Sequence, residues 1–332
     1  MVRSPPVVGL VGQPGTLVIS LDHELYWGVR DIPSLDRYEA NLRGERRAIR
    51  GLLRLFREYE VHATWATVGF LFLRDRRELL AHLPERRPGY RDARLSPYGD
   101  VERVGEDEER DPLRLGASLL DEIRAVPGQE IGTHTFSHYY ALEPGQDEEA
   151  FRADLDAAVR AARARGVELR SIVFPRNQVN PAYLPACAEA GLVAYRGTER
   201  GWAYGAVAEA GNRPLRRAFR LADAYLPLSG HNAYRLADVA AGPLVNVPSS
   251  RFLRPWSPRL APLEGLRLRR IAHDLAHAAR EGLVYHLWWH PHNFGVHTER
   301  NLELLRRLLE HAAGLRERYG LRSLGMAEAA SA

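Results

Sequence analysis

Short apolar runs alternate with amphipathic helical segments along most of the 332-residue chain, and this alternation restricts its possible folds. Residues 16–21 and 63–68 are rich in apolar and β-branched side chains, a pattern typical of strands buried in a parallel sheet. Further strands are predicted at 129–132, 171–174, 192–195, 244–247 and 282–289. Helices are predicted within 35–59 and at 76–83, 113–125, 147–165, 181–190, 266–280 and 298–319. The alternation favours one α/β domain over residues 1–332, with a parallel-stranded core at about 16–325.

Polar side chains directly follow four of the predicted strands. The four clusters are Asp22-His23-Glu24, His134 with His138, Arg176-Asn177-Gln178, and His290. In barrels and in open α/β sheets, ligands and catalytic groups gather at the carboxyl ends of the strands. We therefore expect the four clusters to form one site.

His134 and His138 suit metal binding. If the chain coils as it leaves the strand, residues four apart share a face, and both imidazoles can reach one ion. Two imidazoles and one carboxylate leave an open position on Zn²⁺ for water and substrate. Glu24 is the third ligand if side chains alternate to the end of the first strand, and His23 is the ligand if the chain turns directly after Asp22. We expect a divalent metal, Zn²⁺ first, with Co²⁺, Ni²⁺ or Mn²⁺ also acceptable.

Composition excludes several other classes of protein. All 46 basic residues are arginine, which excludes a Schiff-base lysine, a Walker-type loop and a Ser-Lys hydrolase pair. The formal charge of +4 is modest, and no basic stripe with interleaved aromatic residues indicates nucleic-acid binding. No run approaches the roughly 18 apolar residues of a membrane span. Residues 1–15 lack the apolar region of a signal peptide, and the single cysteine, Cys187, suits a reducing compartment, so we expect a cytoplasmic protein.

Four segments, in this order, resemble the polysaccharide deacetylases, the NodB-like carbohydrate esterases. They are Ser-Leu-Asp-His-Glu-Leu-Tyr-Trp-Gly (20–28), His-Thr-Phe-Ser-His (134–138), Phe-Pro-Arg-Asn-Gln (174–178) and Trp-Trp-His-Pro-His-Asn-Phe-Gly (288–295). The resemblance spans roughly residues 16–319 and implies an irregular (β/α) barrel. It also implies a hydrolase of carbohydrate metabolism that uses a metal-activated water to remove an N- or O-acetyl group from a saccharide or saccharide precursor. The bond cleaved would be a carbon–nitrogen bond other than a peptide bond, or a carboxylic ester.

The resemblance implies a role for each matching residue. The metal ligands would be Glu24, His134 and His138. Asp22 would be the general base toward the water, held ionised and oriented by Arg176. His290 would be the general acid that protonates the leaving group, and a backbone N–H of the 176–178 turn would help to stabilise the oxyanion. The chain departs from the commonest first motif of the family, in which two consecutive aspartates precede a glycine, and from its commoner Arg-x-Pro third motif.

Substrate contacts are predicted beside these motifs. Trp27 and Trp202, each next to a glycine, are the best candidates for stacking on a sugar ring. The other predicted contacts are Tyr139, Asn177, Gln178 and His292. His292 also competes with His290 for the acid role, although a supporting residue that is hydrogen-bonded to a backbone carbonyl is the better interpretation. The long irregular segment 84–112 is expected to be a functional loop or lid.

Several alternatives share parts of this pattern. A metal-containing glycan-binding protein would cleave nothing, and a cyclic-amide hydrolase of the same fold would open a ring. A glycosidase would use two carboxylates in place of a metal. His273 and His277 have metal-ligand spacing on a predicted helix, but Asp274 is one methylene shorter than the glutamate that a zincin requires. A surface helix is the better interpretation of that pair.

Overall fold

The computed structural model describes residues 13–32, 35–208, 211, 213–239 and 242–332. Within these residues, nine strands belong to one sheet. In chain order they are β1 (Thr16–His23), β2 (Ala63–Thr67), β3 (Gln129–Thr133), β4 (Ser171–Ile172), β5 (Ala194–Tyr195), β6 (Val245–Asn246), β7 (Arg251–Phe252), β8 (Val284–Trp289) and β9 (Arg322–Leu324). All of their ladders are parallel.

The sheet is built around β1, whose residues are all buried. Residues 16–21 of β1 pair with β8 on one side, and residues 16–18 pair with β9 on the other, so that Val18 lies opposite both His286 and Leu324. The second half of β1 pairs with β2, with Asp22 opposite Ala66. The strand order is β6-β5-β4-β3-β2-β1-β8-β7, with β9 beside β1. The sheet curls into a half-barrel, which confirms the predicted irregular (β/α) barrel.

Side chains of β1 alternate between two apolar environments, and this alternation sets the direction of the site residues. Leu17 and Leu21 belong to the main hydrophobic core. Val18 packs in a smaller cluster formed by residues of several strands. Because side chains alternate along a strand, Asp22 shares the side of Val18, and His23 shares the side of Leu21. Asp22 and His23 therefore leave the end of β1 in opposite directions.

Helices cover the sheet. They are α1 (Leu35–Glu58), α2 (Arg76–His82), α3 (Tyr98–Val101), α4 (Ala117–Arg124), α5 (Glu148–Ala164), α6 (Leu184–Glu189), α7 (Pro214–Asp223), α8 (Leu236–Val239), α9 (Glu264–Glu281), α10 (Thr298–Tyr319) and α11 (Met326–Ser331). The amphipathic helix α1 buries Ile49, Leu52 and Phe56 in the core. Gly44 of α1 lies against the backbone of Gly295, where a Cβ atom would overlap the Gly295 carbonyl. This close approach fixes α1 beside the turn that follows β8.

The predicted helices at 147–165, 266–280 and 298–319 are confirmed to within two residues at each end. The strand β9 and the helix α11 were not predicted, because three and six residues are too short to show a hydrophobic period. The segment 84–112 contains only short helical turns and α3.

None of the described helices is both long and apolar enough to cross a membrane. The expectation about a signal peptide depends mostly on residues 1–12, and these residues lie outside the described part of the chain.

Candidate active site

Polar side chains gather where the parallel strands end. The N–H of His134, just after β3, donates to the carbonyl of Thr67 at the end of β2 (2.9 Å). The N–H of Arg196, just after β5, donates to the carbonyl of Ile172 at the end of β4 (3.1 Å). His290 follows β8, whose Trp289 lies opposite Leu21 of β1. The ladders thus bring residues from distant parts of the sequence to one edge of the sheet.

The Glu24 carboxylate lies between two imidazoles. Its Oε2 atom is 3.2 Å from Nε2 of His138 and 3.4 Å from Nε2 of His134. All three side chains are buried. Two ligands on a tetrahedral zinc ion with bonds of about 2.0–2.2 Å lie roughly 3.3–3.5 Å apart. The three donor atoms therefore have a spacing that one ion could bridge.

A tight turn, and not the expected helical coil, brings the two imidazoles together. Thr135 and His138 have positive φ angles of 63° and 58°. The buried carboxylate of Asp154 holds the turn by accepting the N–H groups of Phe136 (2.7 Å) and Ser137 (3.2 Å). The ring centroids of the two histidines are 5.0 Å apart. Left-handed conformations of non-glycine residues are costly, and they concentrate at functional sites.

Hydrogen bonds orient the side chains around Glu24. Nδ1–H of His134 donates to the carbonyl of Val173 (2.8 Å), which leaves the Nε2 lone pair directed at Glu24. On the other side, Nε2–H of His292 donates to Oε1 of Glu24 (2.9 Å), and its Nδ1 accepts the hydroxyl of Tyr38 (2.6 Å). The prediction that His292 contacts substrate is therefore wrong, because this buried ring is committed to Glu24 and Tyr38.

Arg196 holds the Asp22 carboxylate with two hydrogen bonds, from Nη1 to Oδ1 (2.6 Å) and from Nη2 to Oδ2 (2.8 Å). The family resemblance implied that Arg176 makes this contact, and that assignment is wrong. Arg176 donates instead to Oδ2 of Asp31 (2.6 Å) and lies over the ring of Tyr140 at 4.4 Å. The backbone of Arg176 is left-handed, with φ at 54°, and its side chain reaches Asp31 instead of Asp22.

Burial and neighbouring charges set the pKa values in the site. Burial alone would raise the pKa of Asp22, but Arg196, His134 and His290 lower it to below its ordinary value. Burial likewise opposes ionisation of Glu24, yet the positive charge of His290 and hydrogen bonds from neighbouring imidazoles hold its pKa well below its ordinary value. Burial lowers the pKa of His138 and of His290. Ionised carboxylates and neutral imidazoles are the protonation states that metal ligands need.

His23 is directed to the opposite side of β1. Its Nδ1 atom is 3.3 Å from Oγ1 of Thr67, and its ring lies edge-on to Trp65, with centroids 6.3 Å apart. Burial lowers the pKa of His23 to about 3, so it remains neutral within the core. The geometry favours Glu24 over His23 as the third ligand.

A cavity of about 440 Å³ opens beside these groups. Its lining includes Asp22, Glu24, His138 and His290. More of the lining comes from residues 204–207 and from Arg220, Ala224, Arg251, Phe252 and Arg254, the last five within the segment that the sequence left hardest to interpret. None of residues 84–112 lines this cavity, which argues against a lid over it, and a functional role of this segment stays a prediction.

Several predicted substrate contacts lie outside the cavity. Trp27 is fully buried, donates Nε1–H to the carbonyl of Arg114 (2.8 Å) and packs on Phe70 at 4.5 Å. Tyr139 and Gln178 are also fully buried and do not line the cavity. These three predictions are wrong, because the three side chains pack in the core or hydrogen-bond to neighbouring loops.

The other two predicted contacts differ from each other. Trp202 is 55% exposed and packs against Phe219, but its side chain does not line the cavity. Asn177 does line it, and its Oδ1 atom accepts from Nη2 of Arg196 (2.8 Å).

In the turn that follows β4, fewer backbone N–H groups are left for the predicted oxyanion contact than the three residues contain. The N–H groups of Asn177 and Gln178 already donate to the carbonyls of Phe174 (2.9 Å) and Pro175 (3.0 Å). Two of the three N–H groups of residues 176–178 are therefore already bonded within the turn, and the contribution of one backbone N–H to an oxyanion site stays a prediction.

Two residues that lie at the site were not among the predicted site residues. Arg196 follows a predicted strand directly, so the rule that identified the other strand ends would have found it. Trp288 lines the cavity with one face over the Arg196 guanidinium at 4.2 Å. Its ring centroid lies 4.8 Å from that of Phe252.

The rival pair His273 and His277 lies on α9, away from this cavity. His231 stacks on His277 with ring centroids 4.2 Å apart. The intervening Asp274 is buried and bonds with His231 (2.7 Å) and Arg251 (3.3 Å). Asp274 thus anchors a neighbouring loop and is not available as a zincin general base.

Comparison with known proteins supports the fold. No protein-family profile and no curated protein matches the sequence. A crystal structure assigned as a polysaccharide deacetylase from Mycobacterium smegmatis matches with a TM-score of 0.57 and 16% identity, over 96% of this chain and 93% of that one. PuuE allantoinase matches with a TM-score of 0.54 and 13% identity, over 99% and 93%. A structure from Pseudomonas aeruginosa PAO1, also assigned as a polysaccharide deacetylase, matches with a TM-score of 0.52 and 12% identity, over 95% and 89%.

At these identities the likeness establishes the architecture, and fold alone does not determine the reaction. The expected resemblance is confirmed at that level: the chain has the fold of the polysaccharide deacetylases.

Proposed function

We propose that this chain is a metal-dependent hydrolytic deacetylase that removes an acetyl group from an N- or O-acetylated saccharide. The observation that carries the proposal is the position of Glu24 between His134 and His138, on a cavity that Asp22 and His290 also line. A base, an acid and a three-donor set around one cavity are the parts that acyl hydrolysis requires.

The donor set fits a divalent cation of the zinc type. Two imidazoles and a carboxylate, from His134, His138 and Glu24, match the ligands that zinc takes in hydrolytic sites. While His290 and the other imidazoles are neutral, the charges of Glu24, Asp22 and Arg196 sum to one negative charge, which a divalent cation would convert into one positive charge. Such a cation would polarise the acetyl carbonyl and make a neighbouring water more acidic.

Asp22 is the proposed general base. The Arg196 guanidinium donates to both carboxylate oxygens of Asp22 and so fixes the plane of the carboxylate. The same guanidinium donates to Ser20 at 3.0 Å and to Asn177 at 2.8 Å. The carboxylate is therefore ionised and has a defined orientation before substrate arrives. It can accept a proton from a water molecule in the cavity.

His290 is the proposed general acid. Its Nε2 atom lies 3.6 Å from Oδ2 of Asp22 and 3.6 Å from Oε1 of Glu24. The side chain is 24% exposed, and it lines the cavity where a leaving nitrogen or oxygen would lie. Because burial lowers the pKa of His290, its protonated form is a stronger acid than an exposed imidazolium.

Aromatic side chains form a platform next to the acid. The rings of Trp288 and Phe252 lie 5.7 and 6.0 Å from that of His290. An apolar ring face is suited to the C–H face of a sugar. These two residues replace Trp27 as the proposed stacking surface.

The contacts of Glu24 weigh against a glycosidase. Glycosidases need two carboxylates facing the scissile bond, one of them free to act as acid or nucleophile. Here Glu24 lies within 3.6 Å of Nε2 atoms from four histidines, and Asp22 is held by Arg196. The match to an allantoinase keeps cyclic-amide hydrolysis as the competing reaction on this fold.

Acetate release tests the proposal. Purified protein supplied with Zn²⁺ or Co²⁺ would be incubated with acetylated chitin oligomers, acetylated xylan and a cyclic amide. We expect acetate from at least one saccharide, with the rate reduced about 100-fold or more in Asp22→Asn and in His290→Gln. His273→Gln changes an exposed histidine of the rival pair and should leave the rate unaltered.

The other outcomes separate the alternatives. Ring opening of the cyclic amide without acetate would replace the proposal with the competing amidohydrolase. Saccharide binding without acetate under any metal would favour a glycan-binding protein, and activity that survives a chelator would contradict the metal requirement.

A further inference from the structure

On the basis of the proposed function, we infer that the cavity selects acetylated saccharides that carry an anionic group, bound by Arg254, which lines the same cavity as Glu24 and His138. The anionic group is an oxyanion, either the carboxylate of an acidic sugar or a phosphate ester. The inference concerns the class of substrate and rests on the charges that line the cavity.

Arg254 differs from other arginines around the cavity. Arg196 pairs with Asp22, Arg176 pairs with Asp31, and Arg251 pairs with Asp223 and Asp274. The Arg254 guanidinium makes no hydrogen bond or ion pair with any described residue, although it lines the same cavity as His290. A half-buried guanidinium without a counter-ion gains from an anionic ligand.

Arg254 lies near two other arginines, Arg220 and Arg267, and Arg267 is itself paired with Glu264. Burial lowers the pKa of Arg254, and the nearby positive charges of Arg220 and Arg267 also favour loss of its proton, an effect that Tyr225 and Tyr204 oppose. Arg267 donates to the backbone carbonyl of Arg254, which fixes the chain at this position. Arg254 and Arg220 both line the cavity, and positive charges that face a cavity attract a ligand of opposite charge.

The acidic side chains of the cavity are already engaged. Asp22 is held by Arg196, and Glu24 is surrounded by imidazoles. Glu199 accepts Nε1–H of Trp288 at 3.3 Å. Among the residues that the structure describes, none of these carboxylates is within ion-pair distance of Arg254.

Phe252 connects the proposed subsite to the catalytic groups. Its ring centroid lies 6.0 Å from the His290 ring and 5.8 Å from the Arg254 guanidinium carbon. A sugar ring packed against Phe252 would therefore present one side to His290 and another to Arg254. The acetyl group and the anionic group would be two substituents of the same sugar or of adjacent sugars.

Three matched substrates test this inference: N-acetylglucosamine, its 6-phosphate and the corresponding N-acetylated uronic acid. We expect kcat/KM for acetate release to be about 10- to 100-fold higher for at least one charged substrate than for the neutral sugar, the range expected from one charge-assisted contact. A preference for the phosphate or for the uronic acid identifies the source of the oxyanion. The preference should decrease as salt is raised from 0.05 to 0.5 M, because the subsite is partly exposed.

Variants assign the preference to one residue. Arg254→Gln should bring the ratio of charged to neutral kcat/KM close to 1, and Arg254→Lys should retain part of it. Arg259→Gln is the matched control, because Arg259 is exposed and does not line the cavity. Loss of the preference in the control would contradict the assignment to Arg254.

A failure of this inference can be distinguished from a failure of the proposed function. Equal or faster release from the neutral sugar, with no effect of Arg254→Gln on the ratio, overturns the inference and leaves the deacetylase proposal standing. If Arg254→Gln does not fold, the wild-type preference and its salt dependence decide the question. Absence of acetate from all three sugars, from chitin oligomers and from xylan removes the proposed function and this inference with it.

Discussion

Arg196 and Asp22 form a two-point ion pair inside the barrel, with both carboxylate oxygens bound at 2.6 and 2.8 Å. The guanidinium is fully buried, lies against Trp288 and also donates to Ser20 and Asn177. Residues from β1, β4–β5 and β8 thus determine the orientation of one carboxylate. The geometry assigns to Arg196 the task of keeping the proposed base ionised.

Substitution of Arg196 should reduce catalysis and change its pH dependence. In Arg196→Gln the buried Asp22 loses its counter-ion, so its pKa should rise, and the acidic limb of the kcat/KM profile should move to higher pH. We expect kcat to fall about 100-fold at neutral pH. Arg176→Gln leaves the Asp22 pair intact, and its acidic limb should stay in place. A shift in the Arg176 variant but not in the Arg196 variant would contradict the assignment.

Gly28 provides the space that the Glu24 carboxylate occupies. A Cβ atom at this position would overlap the carboxylate itself. Gly28→Ala should therefore displace Glu24 and reduce Zn²⁺ affinity by about 10- to 100-fold, as disruption of a ligand's support does in other zinc sites. The measurement is a competition titration with a chromophoric chelator. Gly314→Ala is the control, since a Cβ atom there meets nothing within 4 Å. Equal affinity in both variants would contradict the role of Glu24.

Tyr38 supports Glu24 through His292. Its hydroxyl donates to Nδ1 of His292, which fixes the tautomer whose Nε2–H binds Glu24. Tyr38→Phe removes this hydrogen bond while it keeps the ring that packs at 5.3 Å from His292. We expect weaker metal binding, by about tenfold, with little loss of thermal stability. Tyr59→Phe, which removes a hydroxyl bonded to Glu310 just beyond the C-terminal end of α1, should not change metal affinity.

Glu45 on α1 should make the metal-free protein less stable as pH rises. Its carboxyl group is fully buried, and neither oxygen has a hydrogen-bond partner among the described residues. Burial, together with the nearby charge of Glu24, raises the pKa of Glu45 well above its ordinary value. The folded state therefore holds a proton that the unfolded state has released above about pH 4.5, so this group's contribution to stability is lost as pH increases.

Glu45→Gln removes that pH dependence. Relative to wild type, the variant should gain unfolding free energy between pH 5 and pH 8, by up to about 1.4 kcal/mol per pH unit until the folded-state pKa is reached. Urea unfolding in the presence of a chelator measures the difference. Glu39→Gln, at an exposed residue of the same helix, should change by less than about 1 kcal/mol at any pH. A constant difference between wild type and Glu45→Gln would refute the raised pKa.

Strand ends were predictable from the sequence because a parallel sheet places its carboxyl ends at one edge. Asp22, His134 and His290 meet at the cavity or beside it for that reason. Regular elements with a clear period, such as α5 and α10, were also predicted closely. These features depend on the local hydrophobic pattern and on the parallel topology, and both can be inferred from the sequence.

The direction of an arginine could not be predicted in the same way. Arg176 and Arg196 both follow strands, but left-handed backbone at Arg176 accompanies a side chain bonded to Asp31, whereas Arg196 reaches Asp22. Likewise, Trp27 is next to a glycine because Gly28 makes room for Glu24, and the tryptophan itself packs in the core. Such outcomes depend on contacts between distant segments, which a single sequence does not display.

Metal content coupled to acetate release tests the central claim most directly. Protein stripped with a chelator would be titrated with Zn²⁺ while bound metal and acetate release from an acetylated saccharide are measured together, for wild type and for Glu24→Gln. We expect acetate release to rise in proportion to bound zinc and to level off at about one ion per chain, with both signals strongly reduced in the variant. Acetate release by metal-free wild type, or full zinc binding by Glu24→Gln, would contradict the account.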